Sequence, residues 1–173
     1  MFAADGPNNP ESPASIPVVI NEIMYHPYHP SPGVEDIKQE YIELFNRGTE
    51  PVNLSRWRIS NGVDFVFPNV TLGAGQYLVV AADVDVFKAK YPSVTNVVGG
   101  WVGHLSNNGE AIEIVDEAGE LIDKVHYADE GDWAVRELGP VDHGHRGWVW
   151  SDQHDGKGSS LELINANMPN DYG

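Results

Sequence analysis

Hydrophobic residues in this chain fall at every second position over short stretches, and each stretch is closed by a turn rich in Gly, Pro, Asn or Asp. A period of two suits a strand with one buried face and cannot hold a helix on a core. Tyr41-Ile42-Glu43-Leu44-Phe45 places Ile42 and Leu44 on one side and Glu43 on the other. Arg56-Trp57-Arg58-Ile59 alternates as cleanly, with Trp57 and Ile59 inward and both arginines outward. Further strands are expected at Val18-Val19-Ile20-Asn21-Glu22-Ile23-Met24, Asp64-Phe65-Val66-Phe67, Tyr77-Leu78-Val79-Val80-Ala81 and Leu161-Glu162-Leu163-Ile164. Ile112-Glu113-Ile114-Val115 and Leu121-Ile122-Asp123-Lys124-Val125 flank Asp116-Glu117-Ala118-Gly119 and read as a hairpin.

Residues 83–91 are the one helical stretch, with Asp83 placed to cap it and Pro92 to stop it. Seven or more short strands with a single short helix predict an all-β chain, an immunoglobulin-like β-sandwich with Trp57 pinned in its core. The 173 residues suffice for one such domain without disulfide or metal. Residues 1–15, with three prolines and little to bury, read as a linker or tail, and residues 16–173 as the domain. The segment between residues 129 and 158 is too long for an ordinary connection. It is expected to be a long ordered loop, folded over one end or face of the sandwich by Trp133, Trp148 and Trp150.

Charge narrows the partners. Ten Lys and Arg stand against 26 Asp and Glu, a formal net charge of -16. A surface of that sign repels phosphate backbones and anionic lipid, so neither nucleic acid nor membrane is an expected partner. No apolar run reaches the length of a membrane span. The absence of Cys removes thiolate metal sites and cysteine nucleophiles. No GxSxG, phosphate-cradling loop or dinucleotide fingerprint is present.

The order of several motifs resembles the lamin tail domain family in its bacterial, secreted form. The motifs are Ile20-Asn21-Glu22-Ile23, Glu40-Tyr41-Ile42-Glu43-Leu44-Phe45-Asn46 and Val52-Asn53-Leu54-Ser55-Arg56-Trp57-Arg58-Ile59. They continue with Phe67-Pro68, Thr71-Leu72-Gly73-Ala74-Gly75-Gln76-Tyr77-Leu78-Val79-Val80, Leu105-Ser106-Asn107-Asn108-Gly109-Glu110 and Ser160-Leu161-Glu162-Leu163. The resemblance implies an immunoglobulin-like, non-catalytic interaction or accessory module of a larger extracellular or cell-surface protein. Its partner would be another protein or a surface polymer, and no cofactor is required. No coiled-coil rod or prenylation box accompanies the motifs, so filament and nuclear-envelope roles do not carry over. The 129–158 stretch is longer than expected of the family.

Four constellations could add chemistry. Asp142, His143 and His145, followed by Asp152, His154 and Asp155, supply imidazoles and carboxylates that could bind a divalent cation such as zinc or calcium. A metal-dependent secreted hydrolase would use this group, although no HExxH-type spacing fixes its geometry. Asp152-Gln153-His154-Asp155-Gly156-Lys157-Gly158 also echoes an oxygen-rich calcium loop, which would make the domain a calcium-stiffened spacer; a plain glycine turn is the simpler account. Glu22, Glu40 and Glu43 could pair for acid–base work, or simply accept hydrogen bonds at strand ends. Trp101, Trp133, Trp148 and Trp150, with Tyr25 and Tyr28, could form a sugar- or peptide-binding platform; Trp148 and Trp150 share a face if that segment is extended.

Overall fold

The computed structural model describes residues 17–30, 34–167 and 170. The linker expected at residues 1–15 lies outside the described residues. Thirteen strands and one α-helix are present among the described residues. The strands are β1 (Val18–Met24), β2 (Tyr41–Asn46), β3 (Val52–Asn53), β4 (Arg58–Asn61), β5 (Phe65–Val66), β6 (Thr71–Leu72) and β7 (Tyr77–Ala81). After the helix α1 (Val84–Lys90) follow β8 (Val97–Gly99), β9 (Glu110–Val115), β10 (Leu121–Tyr127), β11 (Val135–Asp142), β12 (His145–Ser151) and β13 (Leu161–Glu162).

Five strands form one sheet in the order β13-β1-β2-β7-β8, antiparallel except for the β7–β8 pair. Four form the second, β10-β9-β4-β5. Their inner faces meet in one core that includes Ile42, Leu44, Leu78 and Val80 from the first sheet and Ile59, Ile112, Ile114 and Val125 from the second. Trp57 is 8% exposed in this core, as its alternation with Ile59 implies. Strand β4 starts only at Arg58, because Trp57 N–H donates to Leu54 O at 2.9 Å and Arg56 takes a positive φ of 67°, a turn conformation.

Two strands of the first sheet are apolar on both faces. In β7, Leu78 and Val80 enter the main core, while Val79 and Ala81 meet Phe87 of α1 on the outer side, with Met24 and Tyr41. The Asp83 carboxylate caps α1, accepting from Asp85 N at 3.1 Å and Val86 N at 3.2 Å. In β1 a register shift between Ile20 and Glu22 changes the side-chain phase. Val18 and Ile20 point into the core before it, Ile23 and Tyr25 after it.

The open edge between the sheets is stitched by Asp123 of β10. Its Oδ2 accepts from Ile20 N at 2.7 Å and from Asn170 Nδ2 at 2.7 Å. Burial raises the Asp123 pKa, and those donors, with Arg47, pull against the rise.

The 129–158 segment is not the loop the sequence suggests. A short 3-10 turn (Gly131–Trp133) leads into an antiparallel hairpin of β11 and β12, paired from Val135–Ser151 to Asp142–His145. Nor do all its tryptophans fold onto the sandwich. Trp133 packs against the core, whereas Trp148 and Trp150 are 61% and 46% exposed. The two strands satisfy each other's backbone groups, so the segment is ordered by pairing rather than by burying indoles. No helix among the described residues is long and apolar enough to cross a membrane.

Candidate functional site

The hairpin is built by its turn. Asp142 pairs with His145, leaving His143 and Gly144 as a two-residue loop with φ of 47° and 82°. Positive φ at both central positions is the turn geometry that matches the twist of hairpin strands. Farther down, a register shift between Leu138 and Val141 holds Gly139 and Pro140. A bulge is where a strand tolerates a proline, which has no N–H to pair.

This register sorts the side chains. Leu138 faces Trp148, Arg136 faces Trp150 and Val141 faces Arg146. Residues directly opposite share a face, as do alternate residues of β12. One face therefore carries Arg136, Leu138, Val141, Arg146, Trp148 and Trp150, and no carboxylate. The Arg136 guanidinium lies 5.3 Å from the Trp150 ring centroid, a cation–π contact. Glu137, Val149, Asp142 and His145 lie on the other. All six residues of the first face are exposed. Trp148 and Trp150 thus share a face, as the sequence implied for an extended segment. Of the other aromatics considered with them, Trp101 and Tyr25 are buried in the core and Tyr28 is 56% exposed.

The foot of the hairpin rests on the end of β1. The Tyr25 hydroxyl lies 2.7 Å from His154 Nδ1, and His26 Nδ1 lies 2.6 Å from Asp155 Oδ1. Gly156 N–H donates to His26 O at 3.2 Å, and a Cβ at Gly156 would come within 3.0 Å of the His26 ring. Tyr25 also packs on Tyr127, with ring centroids 4.8 Å apart, and His26 stacks on His29 at 5.5 Å. His154 is 6% exposed and its Nε2 has no partner. Burial lowers its pKa, partly opposed by Asp155 and Asp152, so the ring is neutral at pH 7. Burial also drives the Tyr25 pKa upward and keeps its hydroxyl protonated.

Beside this foot lies an acidic cleft of about 460 Å³, bordered by Asp129, Glu130, Asp152, Asp155 and the Trp150 ring. Asp152 pairs with Lys157, which lowers its pKa. A second, largely apolar groove of about 880 Å³ is lined by Ile20, Ile23, Val125, Trp133 and Leu161 and reaches His154.

The six sequence-derived metal candidates do not converge. Asp142 and His143 stand at the hairpin tip with side chains 90% and 91% exposed, and His145 is exposed beside them. Asp152, His154 and Asp155 are at the foot, engaged by Lys157, Tyr25 and His26 respectively. Among the described residues no group of three His, Asp or Glu is placed to hold a metal ion. The 152–158 segment is a turn, with Asp155 N–H donating to Asp152 O at 3.0 Å. Nothing local in the sequence marks His26 as a partner for this segment, although Tyr25-His26 immediately follows the first strand signal.

Of the three glutamates, Glu22 and Glu43 come together and Glu40 does not join them. Glu22 pairs across β1–β2 with Glu43 and accepts from the Tyr41 hydroxyl at 2.6 Å. Glu43 accepts from Asn21 Nδ2 at 2.9 Å, and its pKa is raised by burial. Glu40 lies apart and is 1% exposed. Its Oε2 accepts from Leu105 N at 2.9 Å while Oε1 has no partner. Burial pushes its pKa up to about 8, with Glu35 and Glu110 adding to the rise.

Two facing β-sheets closed over one core, with an arm projecting from one end, define an immunoglobulin-like sandwich with an appended hairpin. The lamin tail domain family model matches residues 11–129, more than half of the sequence, and the chain belongs to that family. The match ends where the segment carrying the hairpin begins. No curated protein matches the chain.

Proposed function

We propose that this lamin tail domain is a non-catalytic interaction module of a larger extracellular or cell-surface protein, and that it engages its partner through the β11–β12 hairpin. The observation that carries this reading is the exposed Trp148 and Trp150 pair, presented on an arm outside the residues matched by the family. A two-stranded ribbon is marginal alone in water, and exposed aromatics on a rigid strand are the usual anchors of a protein or polymer contact. The metal-dependent readings gain no support from ligands divided between the tip and the foot of the arm.

The test compares the native chain with a Trp148→Ala, Trp150→Ala double variant. The variant should melt within a degree or two of the parent, because neither ring is in the core. Binders recovered from extracellular protein and surface-polymer fractions, then purified, should bind the parent and lose at least tenfold in affinity for the variant. Equal binding by both chains would overturn the hairpin as the contact. Turnover of generic phosphoester or glycoside substrates would overturn the non-catalytic reading.

A further inference from the structure

Two cavities meet at the foot of the hairpin. The acidic cleft and the apolar groove share Ala134 in their walls, and the consecutive residues His154 and Asp155 border the groove and the cleft respectively. The groove runs beside β13 and β10, the outer strands of the two sheets. It carries one charge of each sign, Arg136 and Glu162. The cleft is unbalanced. Asp152 is paired with Lys157 and Asp155 with His26, but among the described residues neither Asp129 nor Glu130 has a side-chain hydrogen bond or ion pair. No basic side chain borders the cleft among these residues: Arg136 lies against the Trp150 ring but borders the groove. The groove also reaches His154, which is 6% exposed and whose Nε2 has no partner. With the Tyr25 hydroxyl donating to Nδ1, Nε2 holds the ring proton and lacks an acceptor. A polar atom left so inside a native fold calls for a partner from outside it.

We propose that groove and cleft together bind an extended peptide segment of a partner protein, one that carries an apolar side chain and, a few residues away, a Lys or Arg. The apolar side chain fills the groove between Leu161, Val125 and Trp133. The basic side chain passes Ala134 into the cleft, where Asp129 and Glu130 offset its charge and the Trp150 ring packs on its stem or its cation. A backbone carbonyl of the segment accepts from His154 Nε2. Extended segments dock along sheet edges in this manner elsewhere, with side-chain pockets setting the choice of sequence. Charge selects the basic segment. Four carboxylates border the cleft, and a net charge of -16 draws cations toward the chain and turns acidic segments away. The inference goes beyond the hairpin face: of that face only Arg136 and Trp150, at the foot, border the site.

The probe is an array of short Gly-Ser peptides in which Leu, Ile, Val, Phe or Trp stands at each short spacing from Lys or Arg. Control peptides have Glu in place of the basic residue or Ser in place of the apolar one. The native chain should bind the best of the array with Kd on the order of 10–100 µM by fluorescence anisotropy, more weakly as salt rises from ~50 to ~500 mM. Neither control should bind. Asp129→Asn with Glu130→Gln, and separately Ile164→Asp at the fully exposed rim of the groove, should each lose at least about tenfold in affinity while melting like the parent. Trp148→Ala, which borders neither cavity, should bind the peptides as the parent does. A native chain that binds no peptide of the array up to ~1 mM overturns the proposal. So does binding that survives either site variant, equal binding of the acidic controls, or binding lost on Trp148→Ala. A chain that ignores the array while its purified binders still require Trp148 and Trp150 would remove the peptide site and leave the docking hairpin standing.

Discussion

The Tyr25 hydroxyl meets Nδ1 of His154 at 2.7 Å, joining residues 129 positions apart in the chain. Tyr25 ends the run of β1 into the core, and His154 begins the return from the hairpin toward β13. Tyr25→Phe keeps the ring and its packing on Tyr127 but leaves His154 Nδ1 unpaired in a buried position. It should destabilise the fold by about 1–3 kcal/mol in chemical denaturation. The wild-type stability should also fall as pH drops below the ordinary His value of 6.5, because the unfolded chain takes up a proton that buried His154 resists. His154→Gln should flatten that dependence. An unchanged acid slope in the variant would show that His154 titrates freely.

A second titration runs the other way. Glu40 is held protonated by burial, with its pKa near 8 against an ordinary 4.5. The unfolded chain releases this proton first, so folded-state stability declines as pH rises through 4.5 and levels off above about 8. Glu40→Gln removes the penalty, and the variant should gain on wild type steadily between those limits, reaching at most a few kcal/mol. Melting temperatures measured from pH 5 to 8.5 would give parallel curves if Glu40 were ionised at no cost in the fold.

Trp57 anchors the second sheet against the first. Trp57→Ala should destabilise the domain by about 3–5 kcal/mol, the range for large aromatic truncations in cores. A variant melting within a degree or two of wild type would be incompatible with a core indole.

Much of this core is legible from the sequence because strict alternation leaves one register. Ile42 and Leu44, Trp57 and Ile59, and Ile112 and Ile114 all face inward as their spacing requires. The phase of β1 is not legible, since Val18, Val19, Ile20, Ile23 and Met24 are apolar on both sides and only the bulge assigns them. The two-residue strands β3 and β6 and the parallel strand β8 are too short to show a period. The hairpin was obscured by Gly139, Pro140 and the Asp142-His143-Gly144-His145 tip, which read as loop and ligands. Only the left-handed pair at His143 and Gly144 shows that these residues make a turn. The foot is illegible for another reason: it joins residues 25–26 to residues 154–155, and no local pattern encodes a contact over that separation.

Nucleic acid should not bind. Arg136 and Arg146 supply two cations on the hairpin face, against 26 acidic residues in the chain. A random DNA duplex should migrate unretarded with micromolar protein at ~150 mM salt, where nonspecific binders have Kd of roughly 10⁻⁴–10⁻⁶ M. A shifted band that disappears with Arg136→Glu and Arg146→Glu would place a phosphate contact on the hairpin and reverse this expectation.

The hairpin tip separates turn chemistry from metal chemistry. If His143 and Gly144 serve the backbone, their φ angles decide the outcome of substitution. Asn is favoured at the first position of such a turn, so His143→Asn should slow amide hydrogen exchange in β11 and β12. Gly144→Ala forces a Cβ into the left-handed region and should speed exchange, at a local cost of about 1–2 kcal/mol. Both effects should stay within the hairpin, because its strands pair with each other and not with the sandwich sheets. Adding zinc or calcium should leave exchange and melting unchanged, since the tip residues Asp142, His143 and His145 are apart from Asp152, His154 and Asp155 at the foot. A metal-bound tip predicts the opposite pattern: zinc protects β11 and β12 in the wild-type chain, less so as pH falls toward 6, and a His143→Ala, His145→Ala double variant abolishes the protection. That pattern would restore the ligand role and displace the turn as the reason for these residues.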